Sequence, residues 1–292
     1  MTTTPEHAWL QPATCDAGCV RVGADAPGRQ WVVVLRTALR VGAALALFSG
    51  MWLLAVPMPG RSHLQRGYCR LMLRSLGVRT SVAGGPIRNL RGVLVVSGHV
   101  SWLDTFAIGT VLPGSFVARA DLTNWPALGP IVRIMRVIPI DRARLRRLPS
   151  VVAAVADRLR AGHTVVAFPE GTTWCGVGYG RFRPAMFQAA IDAGRPVQPL
   201  RLSYRHRDGR PSTVPAFVGD DTLLMSIRRV VTARRTVVHV HVHVHVQVES
   251  LQLPGADRRE LAARCELAVR GPHSRSALVA GSGCADGHAL VG

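Results

Sequence analysis

The sequence contains no lysine: all 36 of its basic side chains are arginine, against 17 acidic residues, for a formal net charge of +19. A GC-rich gene produces such a bias without any functional cause, so the choice of arginine over lysine carries little information. The excess charge itself does call for anionic partners: nucleic acid, lipid headgroups or anionic substrates. The six cysteines, at 15, 19, 69, 175, 265 and 284, include no CxxC pair. That argues against a zinc ribbon or a dithiol redox motif and leaves thiols in a reducing cytosol as the expectation. No Gly-x-Ser-x-Gly elbow occurs, which argues against a serine hydrolase. No internal repeat of domain size is present.

What is there is apolar enough to fold, at 48% hydrophobic residues in 292. "VGAALALFSGMWLLAVPM", residues 41–58, runs for 18 residues without a charge. That length lies at the lower edge for crossing a bilayer as a helix. Arg36 and Arg40 precede it, and Arg61, Arg66, Arg70 and Arg74 follow. The run starts too deep, and lacks a good cleavage site, for a signal peptide. Against the alternative of a buried core helix, the flanking arginines favour membrane attachment, spanning or interfacial, with stems that snorkel to phosphates. If the run spans, the larger downstream arginine count places the C-terminal domain on the cytoplasmic face.

The expected organisation is a flexible tail over 1–28, a membrane-associating helical segment over 29–78, a catalytic domain over 79–270 and a disordered Gly-, Ser- and Ala-rich tail over 271–292. Within the domain, "VLVV" (93–96), "SFVA" (115–118), "VIPI" (137–140), "TVVAF" (164–168) and "PVQPLRL" (196–202) read as strands. "PSVVAAVADRLRAG" reads as a helix opened by Pro149 and closed by Gly162, with Val151, Val155 and Leu159 on one face. "PAMFQAAIDAG" repeats the device with Pro184 and Gly194, and "WPALGPIVRIM" is a shorter helix. The alternation predicts an α/β fold with a mixed, mainly parallel sheet flanked by helices.

Three stretches carry candidate chemistry. In "GHVSWLD", Ser101 and Asp104 have the spacing of a helix-start capping pattern, which explains Asp104 but not His99. With His99 in the loop before the helix, Asp104 can accept a hydrogen bond from one ring nitrogen and leave the other as a base. In "VVAFPEGTTW", an apolar run ends in Pro169, Glu170 and Gly171, at the strand edge where α/β proteins place ligands; an ordinary turn is the alternative. "VIPIDRARLRR" follows a strand with Arg142, Arg144, Arg146 and Arg147, either a solvated basic face or a clamp for an anionic group.

In order, "GHVSWLD", "RVIPIDR", "FPEGTT" and "PVQPL" resemble the four motif blocks of the glycerolipid acyltransferase superfamily, typified by the 1-acylglycerol-3-phosphate acyltransferases, over roughly residues 75–210. The resemblance implies acyl transfer from acyl-CoA or acyl carrier protein to a lysolipid hydroxyl, 1-acylglycerol-3-phosphate first, in phospholipid biosynthesis. It implies His99 as general base oriented by Asp104, no covalent acyl-enzyme, Arg142 on the acceptor phosphate, and Glu170, Gly171 and Thr172 shaping the acceptor site. No cofactor or metal is implied beyond the acyl donor, and the partners are anionic membrane lipids rather than nucleic acid. Three positions depart from the pattern: Thr173 stands where many members carry an arginine, Arg136 and Pro139 where the second block has glycine and an aromatic, and Arg119 near a common lysine. A lysolipid without glycerol phosphate, such as a lyso-ornithine lipid, is therefore the alternative acceptor. The rival of another class is a non-catalytic basic protein on anionic membrane or nucleic acid, which leaves His99, Asp104 and Glu170 without a role.

"VVHVHVHVHVQVE", residues 237–249, lines His239, His241, His243 and His245 along one side of an extended segment. Paired imidazoles can hold zinc. The valine alternation instead favours a half-buried strand with its polar side outward, and no Cys or acidic neighbour completes a ligand set.

Overall fold

A computed structural model describes residues 15–20, 29–56, 59–85, 91–120, 129, 132, 135–141, 144–243 and 257–271. Among the described residues the β-branched runs form a sheet of seven strands: β1 (Val78–Gly84), β2 (Leu94–Ser97), β3 (Ser115–Arg119), β4 (Ile138–Ile140), β5 (Val165–Ala167), β6 (Val197–His206) and β7 (Thr236–Val242). Their order is β1-β7-β6-β2-β5-β3-β4, parallel throughout except for the antiparallel β6–β7 pair. All residues of β2 and β5 are buried, as expected for parallel strands covered on both faces, which is why they read as unbroken apolar runs. Pro139 is tolerated because β4 is an edge strand, where a missing N–H breaks no ladder on the open side.

Helices cover the two faces. One side is packed by α2 (Arg61–Ser75), α3 (Leu103–Gly109) and α6 (Leu223–Thr232), through Leu73, Leu103, Ile108 and Val230. The other is packed by α4 (Leu148–Arg160), α5 (Ala185–Ala193) and α7 (Arg258–Arg270), through Leu159, Phe187 and Leu261. Pro149 sits in the first turn of α4, and α5 runs from Pro184 to Gly194, whose φ of 59° ends the helix in a left-handed residue.

Ahead of the sheet, the apolar α1 (Gln30–Ser49) continues through a 3-10 segment (Gly50–Ala55), together long and apolar enough to cross a membrane, at mean hydropathy 1.7. None of the residues of α1 is buried, and Trp31, Leu35, Leu39, Leu45 and Phe48 face outward. Yet α1 does not stand apart. Arg36 donates to the Thr232 carbonyl (2.8 Å), and Arg40 donates to the carbonyls of Val231 (2.8 Å), Ala233 (2.6 Å) and Arg234 (2.6 Å). These bonds satisfy the carbonyls at the C-terminal end of α6 and clamp α1 onto it.

One expectation changes, one holds, and others fall outside the described residues. Part of the stretch read as a loose tail is packed: residues 17–19 form a 3-10 turn, and Cys15 and Cys19 are buried in the core on the α2 side of the sheet. Short polar composition suggested looseness, but two inward thiols anchor the segment. The histidine run forms an interior strand, with Val238, Val240 and Val242 buried, His239 and His243 half-buried and His241 exposed. His245 lies outside the described residues, as do most of "WPALGPIVRIM" and of the two tails.

Candidate active site

The site follows from the sheet order. β2 and β5 are adjacent parallel strands, so the loops at their C-terminal ends emerge side by side, where open α/β sheets bind ligands. One loop carries Gly98 and His99; the other carries Phe168, Pro169, Glu170 and Gly171.

His99 lies in the loop and Asp104 in the first turn of α3, fully buried, with His99 Nδ1 2.8 Å from Asp104 Oδ2. The same oxygen accepts the backbone N–H groups of Val100 (2.7 Å) and Ser101 (2.9 Å). One carboxylate thus holds both the imidazole and the backbone N–H groups that lead into α3. Asp104 Oδ1 accepts the Tyr204 hydroxyl at 2.6 Å. Burial, and then the Asp104 carboxylate, push that hydroxyl well above its usual range, so Tyr204 remains a donor. Phe168 stacks on the imidazole, with centroids 4.0 Å apart and planes 12° apart, fixing the ring's tilt. With Nδ1 donating to Asp104, the lone pair falls on Nε2, the nitrogen available as a base.

Glu170, Gly171 and Thr172 sit in the neighbouring loop, and the Glu170 carboxylate is turned inward. It accepts the His99 N–H at 2.8 Å and the Gly180 N–H, and it pairs with the buried Arg270 of α7 at 3.2 Å. Burial pushes its carboxyl up to about 8, against the lowering pull of the His99 N–H and then the Arg270 guanidinium. Its geometry holds the histidine loop from below. Gly171 has φ 77°, a conformation open to glycine, in a turn closed by its N–H on the Phe168 carbonyl (3.1 Å). Thr172 is half-buried in the same loop. Thr173 donates its hydroxyl to the Phe217 carbonyl, and the Trp174 N–H donates to the His99 carbonyl at 2.7 Å. Arg142 lies outside the described residues.

Tyr204 and Arg270 were not legible in the sequence, because each lies 100 residues from its partner and belongs to no local motif. Phe168 stands inside the Phe-Pro-Glu-Gly block, and its block position is the signal that marks it.

A second feature adjoins the histidine. A cavity of about 330 Å³ is lined by Phe48, Met51, Leu54, Met72, Phe106 and Phe116, between the α1–α2 arm and the sheet. Phe116 stacks with Phe168 at 6.5 Å, so one aromatic ring, Phe168, lies between the cavity lining and the His99 imidazole.

Fold and site define a class: α/β enzymes with a carboxylate-held imidazole at the C-terminal edge of a mainly parallel sheet. The Acyltransferase family model matches residues 79–203. The lyso-ornithine lipid O-acyltransferase of Pseudomonas aeruginosa is 32% identical over 250 residues, covering 82% of this chain and 92% of that protein. The 1-acyl-sn-glycerol-3-phosphate acyltransferase of Neisseria meningitidis is 34% identical over 171 residues, covering 59% of this chain and 67% of that protein. The crystal structure of the 1-acyl-sn-glycerophosphate acyltransferase PlsC from Thermotoga maritima shares the fold, with a TM-score of 0.58 at 20% identity over 87% of this chain and 98% of that one. The chain belongs to the glycerolipid acyltransferase superfamily and is an O-acyltransferase.

Proposed function

We propose that this protein moves an acyl group from an acyl thioester, carried by CoA or by acyl carrier protein, to the hydroxyl of a lysolipid. His99 Nε2 takes the proton from the acceptor hydroxyl as its oxygen attacks the thioester carbonyl. Asp104 holds the tautomer and stabilises the imidazolium, which then returns the proton to the leaving thiolate. The observation that carries this reading is the 2.8 Å contact between His99 and a buried Asp104 already saturated by backbone and tyrosine donors. The apolar cavity beside Phe116 suits the acyl chain.

A lyso-ornithine lipid is the favoured acceptor. Thr173 presents a hydroxyl, spent on the Phe217 carbonyl, where many relatives offer an arginine to a phosphate. The Pseudomonas aeruginosa relative, named for that acceptor, is matched over nearly its whole length. A second reading, 1-acylglycerol-3-phosphate, is favoured by the Neisseria relative. The experiment is to incubate purified enzyme and labelled acyl-CoA or acyl carrier protein with a lysolipid panel and identify the products by mass. Lyso-ornithine lipid should be acylated in preference to 1-acylglycerol-3-phosphate, and Thr173→Arg should shift the preference toward the phosphate acceptor. His99→Ala should fold and lose about 10²- to 10⁴-fold in turnover. Exclusive use of the phosphate acceptor by the wild type would reverse the choice, and a fully active His99→Ala would remove the mechanism.

The membrane face belongs to the same reading. Clamped to the C-terminal end of α6, α1 lies on the domain and buries its outward apolar side in one leaflet, with the exposed Leu224 and Met225 of α6 adding to the apolar face. The enzyme then meets its lipid acceptor at the cytoplasmic surface, and the arginine excess suits anionic headgroups there.

A further inference from the structure

Three buried cysteines converge at a place that the acyl-transfer reading does not use. The sulfurs of Cys15, Cys19 and Cys175 all lie within 4.8 Å of one another, with residue exposures of 3%, 9% and 0%. Cys15 precedes the 3-10 turn Ala17–Cys19 and Cys19 ends it, and Cys175 follows the Pro-Glu-Gly loop, more than 150 residues away. Ordinary core cysteines pack their sulfurs against carbon. A disulfide would join two sulfurs and strand the third. A thiophilic metal ion is the chemistry that uses all three: with zinc–sulfur bonds of about 2.3 Å, sulfurs at tetrahedral corners stand about 3.8 Å apart, within the 4.8 Å that bounds the three sulfurs here.

The turn around Cys175 brings a backbone N–H onto its sulfur. Gly176 has φ 86°, which turns the chain so that the Gly178 N–H donates to Cys175 Sγ at 3.3 Å. A Cβ at Gly178 would stand 3.5 Å from Cys15 Sγ, in ordinary contact, so this turn packs directly beside a second sulfur of the group. On the other side, Gly219 lets the Asp16 backbone approach, since a Cβ at 219 would come within 3.3 Å of Asp16 Cα. Asp16 itself is occupied in capping the turn, its Oδ1 accepting the Cys19 N–H at 3.2 Å.

We propose that Cys15, Cys19 and Cys175 form a zinc site, with the three sulfurs as its protein ligands, that ties the N-terminal segment to the loop beneath the active-site histidine. The adjacent Trp174 N–H holds the His99 carbonyl, so the ion stiffens the histidine loop through one residue. The missing CxxC spacing conceals the site, because its third ligand is remote in sequence.

The test uses the full-length protein purified in detergent under reducing conditions after growth with zinc. Metal analysis should find stoichiometric zinc, lost in Cys15→Ser and Cys175→Ser and kept in Cys265→Ala, a buried cysteine elsewhere in the core. Should the serine variants fail to fold, wild type stripped by chelator and reloaded with cobalt decides: thiolate-to-cobalt charge-transfer absorption is expected. Metal-free protein, a Cys15–Cys19 disulfide by intact mass, zinc that survives the serine substitutions, or cobalt bound without the thiolate band (an ion on the histidine strand) would each overturn the proposal.

Discussion

Asp104 shows how a buried carboxylate is held and aimed. Its two oxygens receive an imidazole, two backbone N–H groups and a phenol. Removing the phenol leaves one buried oxygen unsatisfied, at a cost of about 1–3 kcal/mol. Tyr204→Phe should therefore lower both the thermal midpoint and kcat, with KM little changed; unchanged kcat would show that Tyr204 does not help to position Asp104. Glu170 yields a pH prediction. Its carboxyl is raised from 4.5 to about 8 in the folded protein, so between those values the folded state holds more proton than the unfolded one. Stability contributed by the protonated form is complete below about 4.5 and is lost as pH rises through about 8. Thermal midpoints of wild type relative to Glu170→Gln should fall across that window. A flat difference would mean that Arg270 and the two N–H donors keep Glu170 ionised throughout.

Among the elements, β2, β5, α4 and α5 were readable because valine runs, Pro starts and Gly stops are local signals. The strand β1 and the helices α6 and α7 were not picked out, since their patterns, such as "VRTSVAG", become apolar-in and polar-out only against a particular neighbour. The second motif block shows a departure with a backbone consequence. Arg136, where glycine is usual, adopts φ 51°, and its carbonyl accepts from Arg158 at 2.9 Å. A left-handed conformation costs a non-glycine residue about 1–2 kcal/mol, partly offset by glycine's greater loss of freedom on folding. Arg136→Gly should raise stability by roughly 0.5–1 kcal/mol, read as a shift in denaturation midpoint. Destabilisation instead would show that the side chain contributes packing that outweighs the strain.

Across the whole molecule, exposed apolar residues gather on α1, on the 3-10 segment after it and at the start of α6, including Trp31, Leu39, Trp52, Leu53, Leu224 and Met225. Contact through such a face resists salt, whereas attraction through the +19 charge is screened. In sedimentation with anionic phospholipid vesicles at high salt, Trp52→Ser/Leu53→Ser and Leu224→Ser/Met225→Ser should each bind less than wild type. Equal binding by both would place the membrane contact elsewhere.

Several properties were settled by the order of residues along the chain. The ordered motif blocks, the alternation of strands with helices and the apolar arm all depend on neighbours within a few positions. The pairings that aim and support the histidine were settled by folding alone. Tyr204 meets Asp104, and Arg270 meets Glu170, only once the sheet has taken the order β6-β2-β5 and α7 has packed onto its face. Such contacts arise from packing long stretches of chain over one another, and nothing local in the sequence encodes which distant side chain will arrive.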